Sequence, residues 1–513
     1  MKLTKLGLAI TLLTGATVAQ QALALDLYVD TKTQQIFAEP GKGRVKLGSF
    51  EKVDETAKVA NNNNSNAIAE EVAKQMAREK AEMGDIKQDL ELKTNELKAI
   101  EEHLVASRED KAKNDEKWFN KINMRGYTQV RYNQPLSGDR VEGEPELKSV
   151  GDSSIGNNQG FAFRRVRLVF SGDINDYISM YIQPDFATST GGSQNFAQLR
   201  DAYFDLHLDK EHEYRFRAGQ SKIPFGWENL QSSQNRLTLD RADALNSAVP
   251  SERDLGLMAY WTPSHVQKLW KNLSKKGLKT SGDYGVLGAG VYNGSQINTA
   301  ENNDNLYLVA HSSYPVELGF MGKAMEGQVL EVGADAISGR FNKSRSAYCF
   351  NRTTCGTAQQ VTPTNQNNGG DNSEDRVGVH AVLFPQPFGL QAEWNWGAGA
   401  TLNPQANRIE RQYLNGGYVM AMYKIDEIFG TKGSMIPYVK WQTYDGAWKA
   451  ATNAPRVQVD EVEAGVEYQI SKALELTLAY ASMSRTNVAN ATSADFLKQA
   501  SGDIIRTQLQ VNY

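Results

Sequence analysis

From about residue 120 onward the chain places an apolar residue at every second position, and no other feature limits its fold as much. A strand points successive side chains to opposite faces, so this period writes a sheet with one apolar and one polar face. Residues 122–132, 177–183 and 473–480 show it most clearly. Sixteen such segments begin near residues 121, 161, 177, 197, 213, 254, 283, 304, 328, 375, 389, 412, 435, 458, 473 and 502. The connections at 174–176, 207–211, 385–388 and 471–472 are tight, whereas those at 134–159, 223–253, 342–374 and 486–501 are long. An even number of strands joined by alternating short and long connections predicts an all-β fold, a 16-stranded antiparallel transmembrane β-barrel over 119–513. One connection breaks the alternation: 263–282 is long and lysine-rich where a short turn is due. The final alternating segment, 505–513, ends on the aromatic Tyr513.

The mean hydropathy of −0.52 does not argue against a membrane protein, because a barrel wall averages its lipid-facing and lumen-facing residues. No run of eighteen apolar residues offers a membrane-spanning helix. Lys2 and Lys5 precede the apolar run 6–13, and Ala22 and Ala24 stand at the −3 and −1 positions, so 1–24 reads as a secretory signal peptide. Without those two lysines, 54 basic residues face 60 acidic ones, a net charge of −6 that gives no reason to expect nucleic acid as a partner. Cys349 and Cys355 lie in a polar stretch of an exported chain and can form a disulfide. The six histidines form no ligand pair at helical spacing and read as structural or solvated, so neither a metal nor a cofactor is expected. No nucleophile, base and acid arrangement points to an enzyme.

Two regions precede the barrel. Residues 25–53 read as a small periplasmic β segment, two apolar runs flanking a turn at 39–43. Residues 54–118 lack Pro and are rich in Glu, Lys and Ala. Met76, Met83, Leu90, Leu97 and Leu104 recur every seven residues, with Val72, Ile86 and Ile100 on a second seam interrupted by Glu79 and Lys93. Seven-residue spacing of this kind predicts an α-helical coiled coil in the periplasm, and leucine at a with isoleucine at d shifts preference from dimers towards trimers or tetramers. A helix packed on its own barrel is the plainer alternative.

Alternation also assigns faces. Arg125 and Arg131 on the first strand, Arg165 and Arg167 on the second, and Arg215 and Arg217 on the fifth point into the lumen, with Lys222 just beyond. Glu331, Asp335, Glu393, Glu461, Glu463 and Glu467 form an acidic wall opposite, and facing walls of opposite sign set up a transverse field. Arginine suits oxyanions, because its planar fork donates paired hydrogen bonds and stays charged. The long connection after the fifth strand carries Phe225, Trp227, Leu239 and Leu245, with a helix-like piece at 237–246, and is expected to fold inward. Its charges nearly balance: Glu228, Asp240, Asp243 and Glu252 against Arg236, Arg241 and Arg253.

Residues 163–168 (FRRVRL), 199–203 (LRDAY), 217–226 (RAGQSKIPFG), 252–256 (ERDLG) and 291–294 (VYNG), together with the terminal aromatic strand, resemble the phosphate-selective porin O/P family. The resemblance implies sixteen strands, a homotrimer in outer-membrane lipid, a third loop folded inside and diffusion of small hydrophilic, anionic solutes. It also maps an anion-contacting pair of arginines onto Arg164 and Arg165. Parity puts Arg164 on the lipid side, so either a bulge turns it inward or it snorkels. The acidic wall and the nearly neutral loop depart from a dedicated phosphate funnel. The alternative reading is a structural or adhesive outer-membrane protein that tethers the envelope through its coiled coil, with peptidoglycan as the contact.

Overall fold

The computed structural model describes residues 25–30, 35–50, 65–115, 117–136, 147–149, 151–152, 154–155, 160–190, 193–248, 253–350, 354–365, 371–430, 433–488 and 490–513. The signal peptide expected over 1–24 and the constriction-loop residue Glu252 lie outside the described residues.

The first unit holds a three-stranded sheet. β1 (Leu25–Asp30) lies between β2 (Ile36–Phe37) and β3 (Arg44–Phe50). The turn at 39–43 is closed by the Arg44 N–H on the Gly41 carbonyl at 3.1 Å, with Gly43 at φ +92°. The two runs flanking that turn therefore pair with β1 on either side rather than with each other. α1 (Ser65–Asp115) is a single helix of 51 residues, about 76 Å long at 1.5 Å per residue. The expected seam residues Val72, Met76, Met83, Ile86, Leu90, Leu97, Ile100 and Leu104 are all exposed on it.

The second unit is a closed antiparallel barrel. Its long strands are β4 (Asn123–Pro135), β5 (Gly160–Asn175), β6 (Ile178–Thr190), β7 (Ser193–His207), β8 (Tyr214–Lys222), β9 (Arg253–Trp261), β10 (Leu287–Tyr292) and β11 (Tyr307–Glu317). They continue as β12 (Val329–Asn342), β13 (Asp371–Leu383), β14 (Phe388–Asn403), β15 (Arg408–Tyr423), β16 (Ser434–Ala447), β17 (Arg456–Ser471), β18 (Leu474–Thr486) and β19 (Gln499–Asn512). Sixteen strands stand where sixteen alternating segments were read. β19 closes the sheet on β4 in the register Asn512↔Tyr127 to Ile504↔Pro135. Gly126 and Tyr513 then exchange backbone bonds of 2.6 and 3.0 Å.

The wall is turned inside out relative to a soluble sandwich. Leu206, Phe216, Leu257, Leu308, Val379, Leu390, Val439, Leu478 and Leu509 are exposed on the outside, while Arg131, Arg167, Asp205, Arg217, Glu331 and Glu393 are buried within. A continuous apolar exterior is stable only against lipid, and closing the sheet leaves no unpaired edge in the hydrocarbon.

Two connections fold into the barrel. The one between β8 and β9 carries α2 (Trp227–Leu230) and α3 (Asp243–Ala248). Residues 223–230 and 237–245 are almost wholly buried. The helix-like piece begins at Asp243 rather than at 237, because residues 237–242 spend their polar groups on side chains instead of on a helical ladder. The irregular connection after β9 holds α4 (Ser264–Lys275). Its Val266, Trp270 and Leu273 pack with Trp227, Val329, Val382 and Phe384, so a length that looked out of place fills the barrel end that carries both barrel termini. In the connection between β12 and β13, Cys349 and Cys355 are joined by a disulfide.

Candidate functional site: a charged lumen with an inward loop

The inward loop is held at two places by opposite charges. At its start, three consecutive residues each donate to one carboxylate of the expected acidic wall. The Gly226 N–H reaches Asp335 Oδ2 at 2.8 Å, the Trp227 Nε1–H reaches Glu331 Oε1 at 3.0 Å, and the Glu228 N–H reaches Glu393 Oε2 at 3.0 Å. Glu331 also accepts from Trp270 Nε1 of α4 at 3.1 Å and from Ser313 Oγ at 2.6 Å, so one buried carboxylate ties both inward segments to the wall. Gly226 sits at φ +86°, and a Cβ there would stand 2.9 Å from Glu393 Oε1. Only glycine brings the backbone this close. Glu228 in turn accepts from Lys440 Nζ at 2.6 Å and from the Ala242 N–H at 2.8 Å.

At the loop's far side Asp240 is clasped by guanidiniums. Arg131 Nη1 lies 2.9 Å and Arg164 Nη2 3.2 Å from it, and Arg506 joins them. Asp152, from the connection between β4 and β5, shares Arg131 at 2.6 Å and Arg506 at 2.7 Å. Burial alone would raise the Asp240 carboxyl, but these three cations outweigh it and hold the group far below the usual carboxylate range. Arg164 reaches inward because β5 bulges there: Gln129 pairs with Arg165 and Val130 with Phe163, leaving Arg164 as the extra residue.

The other residues read from the sequence divide in the same way. Glu461 meets Arg485 and accepts from Gln442 at 2.6 Å, and Arg485 also reaches Asp243 at 3.1 Å. Glu463 accepts from Tyr438 Oη at 2.7 Å, and Glu467 pairs with Lys279 at 2.8 Å. The acidic residues are thus distributed among loop anchors and ion pairs rather than standing as one open wall. Arg217 holds Asp205 through two bonds of 2.8 and 2.9 Å. Arg215 holds Asp283 at 2.9 Å, Arg167 holds Asp185 at 2.7 Å, and Arg253 holds Asp201 at 2.9 Å.

What remains is a knot of cations at the loop. Arg165 gives Nη1 to Gln129 Oε1 at 2.8 Å, and Arg241 gives Nη1 to Asn229 Oδ1 at 2.7 Å. Lys222 Nζ caps α2 through the carbonyls of Asn229, Leu230 and Gln231 at 2.7 to 3.0 Å. Arg236 is buried, and its Nε has no hydrogen-bond partner, nor has that of Arg165. Among the described residues, no carboxylate lies within ion-pair distance of Arg165, Arg236 or Lys222. Beside them opens a cavity of about 290 Å³ lined by Arg125, Arg167, Arg217, Lys222 and Arg253, with Asp201 and Asp283 as its only acids among the described residues.

Sequence reading missed Asp152, Lys279, Lys440, Arg485 and Arg506. Lys440, Arg485 and Arg506 stand at lumen-facing positions of alternating strands, so parity could have found them. Asp152 and Lys279 lie in irregular connections and left no such signal.

A charged lumen inside an apolar wall, narrowed by a loop bound to that wall, defines an outer-membrane channel barrel. The chain belongs to the phosphate-selective porin O and P family, whose model matches residues 148–513. Among solved structures it is similar to the outer membrane channel DcaP of Acinetobacter baumannii, at 14% identity over 76% of this chain and 97% of that one, with a TM-score of 0.45. It is also similar to the anion-selective porin from Comamonas acidovorans, at 11% identity, 76% and 99% coverage and a TM-score of 0.41. No curated protein matches the chain.

Proposed function

We propose that this outer-membrane channel passes small hydrophilic solutes passively and prefers anions. The observation that carries the preference is the knot at the inward loop, where Arg165 and Arg236 have no carboxylate to neutralise them. Lys222 and Arg241 stand beside them. Arg131, Arg164, Arg167, Arg215, Arg217, Arg253, Arg485 and Arg506 are each matched to an acid, so the positive charge without an ion pair lies at the inward loop. A fixed positive charge in a constricted, poorly screened lumen raises the local anion concentration and repels cations. Inorganic phosphate is the oxyanion that the family points to.

Reversal potentials of the reconstituted protein in a potassium chloride gradient test this reading. Anions should carry most of the current. Arg165→Ala with Arg236→Ala should lower the anion-to-cation permeability ratio by about twofold to fivefold. Cation-dominated current in the unmodified protein would overturn the preference.

The exposed seam of α1 favours association of helices from several copies, and with it a trimeric channel. The barrel exterior supports the same reading. Ala259, Ala289, Ala310, Ala334 and Ala336 leave a shallow apolar groove of about 700 Å³ on β9 to β12, a surface of small side chains that another barrel wall can approach closely.

A further inference from the structure

The inward loop spends many of its polar side chains within the protein. Asn229 donates to the Ile223 and Phe225 carbonyls and accepts from Arg241, and Gln231 reaches the Lys279 carbonyl. Ser233 meets Tyr127 and Arg167, and Thr238 reaches the Asp240 carbonyl. Ser232, Gln234 and Asn235 stand apart. They are half-buried, they line the cavity beside the loop, and among the described residues their side chains have no hydrogen-bond partner.

The wall of that cavity repeats the pattern. Tyr203 of β7 and Tyr284, from the connection that holds α4, are half-buried, and their hydroxyls have no partner among the described residues. Tyr181 of β6 stacks on Tyr203 with ring centres 5.1 Å and planes 9° apart, and it gives its hydroxyl to Gln183 at 2.8 Å. The Arg217 guanidinium lies over the Tyr203 ring at 3.9 Å, so a ligand ring meets Tyr181 rather than Tyr203.

The cations of the cavity divide unequally. Arg167, Arg217 and Arg253 are bound to acids, and Lys222 Nζ places its bonds on three carbonyls. Arg125, near the start of β4, is exposed and makes no ion pair or hydrogen bond among the described residues. It joins the unpaired charge of the loop. The cavity therefore offers a free guanidinium together with hydroxyls and amides that can both donate and accept. An inorganic oxyanion presents mainly acceptors, and an aromatic acid has nothing for the amides and hydroxyls. A solute carrying its own hydroxyls beside a carboxylate satisfies both sets, and groups left unmatched cost affinity.

We propose that this cavity is a binding station for polyhydroxylated organic acids of the sugar-acid class. The carboxylate lies on Arg125, the hydroxyls meet the loop amides and the tyrosine hydroxyls, and the C–H face of the ring covers Tyr181. The inference rests on the anion preference proposed above and names a class of solute that uses it. Many weak hydrogen bonds suit a channel, where a solute must bind well enough to enter and loosely enough to leave.

Block of ion current through the reconstituted full-length protein by glucuronate tests the station, with glucose and benzoate as comparators. Glucuronate should reach half-block at a concentration at least about tenfold below either comparator. Arg125→Gln should raise that concentration about tenfold for glucuronate and leave glucose unchanged. Tyr203→Phe and Asn235→Ala should each weaken glucuronate and glucose about threefold and leave benzoate unchanged. Benzoate as effective as glucuronate, or glucuronate block indifferent to Arg125→Gln and Tyr203→Phe, would overturn the station. Reversal potentials of the same channels in potassium chloride keep the two readings apart. Anion-dominated current without glucuronate block overturns the station alone, whereas cation-dominated current overturns the anion preference and the station with it.

Discussion

Gly226 shows how much one residue decides in this lumen. It gives the inward loop its first bond to the wall, from a backbone conformation at φ +86° and a separation that a Cβ would close to 2.9 Å. Gly226→Ala should therefore cost about 1–3 kcal/mol of local strain and loosen the loop start without unfolding the barrel. Single-channel recordings should show a noisier open state, with heat-modifiable migration of the barrel unchanged. Glycine in the run KIPFG reads from sequence as a turn residue. That it lets three successive donors meet Asp335, Glu331 and Glu393 depends on strands more than a hundred residues away. Arg164 makes the same point in reverse. Its parity says lipid, and a single bulge in β5 turns it towards Asp240.

At the scale of elements, the loop between β8 and β9 is a clamp with an anionic handle. Removing one partner of a buried ion cluster leaves the others uncompensated, at about 3–5 kcal/mol. Asp240→Asn should release the loop, seen as higher conductance and as new proteolytic cleavage between residues 231 and 245. The pH dependence has a definite sign. A carboxyl held below its unfolded value, such as Asp240, contributes stability above the ordinary carboxylate range and loses it only as pH falls through the depressed folded value. Conductance should stay flat from pH 7 down to about pH 5, and a step in that window would show that the clasp is not what holds the loop. α4 belongs to the same scale. Its buried face of Val266, Trp270 and Leu273 shares Glu331 with the loop, so the two inward segments meet on one carboxylate.

For the whole molecule, the unmatched feature is α1, a helix of 51 residues whose apolar seam faces solvent in the single chain. Such a seam is stable when helices from other copies cover it. Leu90→Glu with Leu97→Glu should convert trimers to monomers on mild detergent gels, or lower their dissociation temperature, while conductance per barrel is kept. An unchanged oligomer would place the contact on the barrel wall instead.

Alternation by itself determined the barrel. Side-chain direction along a strand is a local property, so sixteen strands, their lumen faces and the wide connections could all be read one residue after another. The seven-residue repeat determined the long helix for the same reason. Partnership was decided only by tertiary structure. Three of the residues read as an acidic wall became anchors for Gly226, Trp227 and Glu228, and eight arginines found acids on other strands or in connections. Arg165 and Arg236 were left without one. Charge is legible in a sequence, but compensation is a distance between chain segments, and closure of the sheet sets that distance.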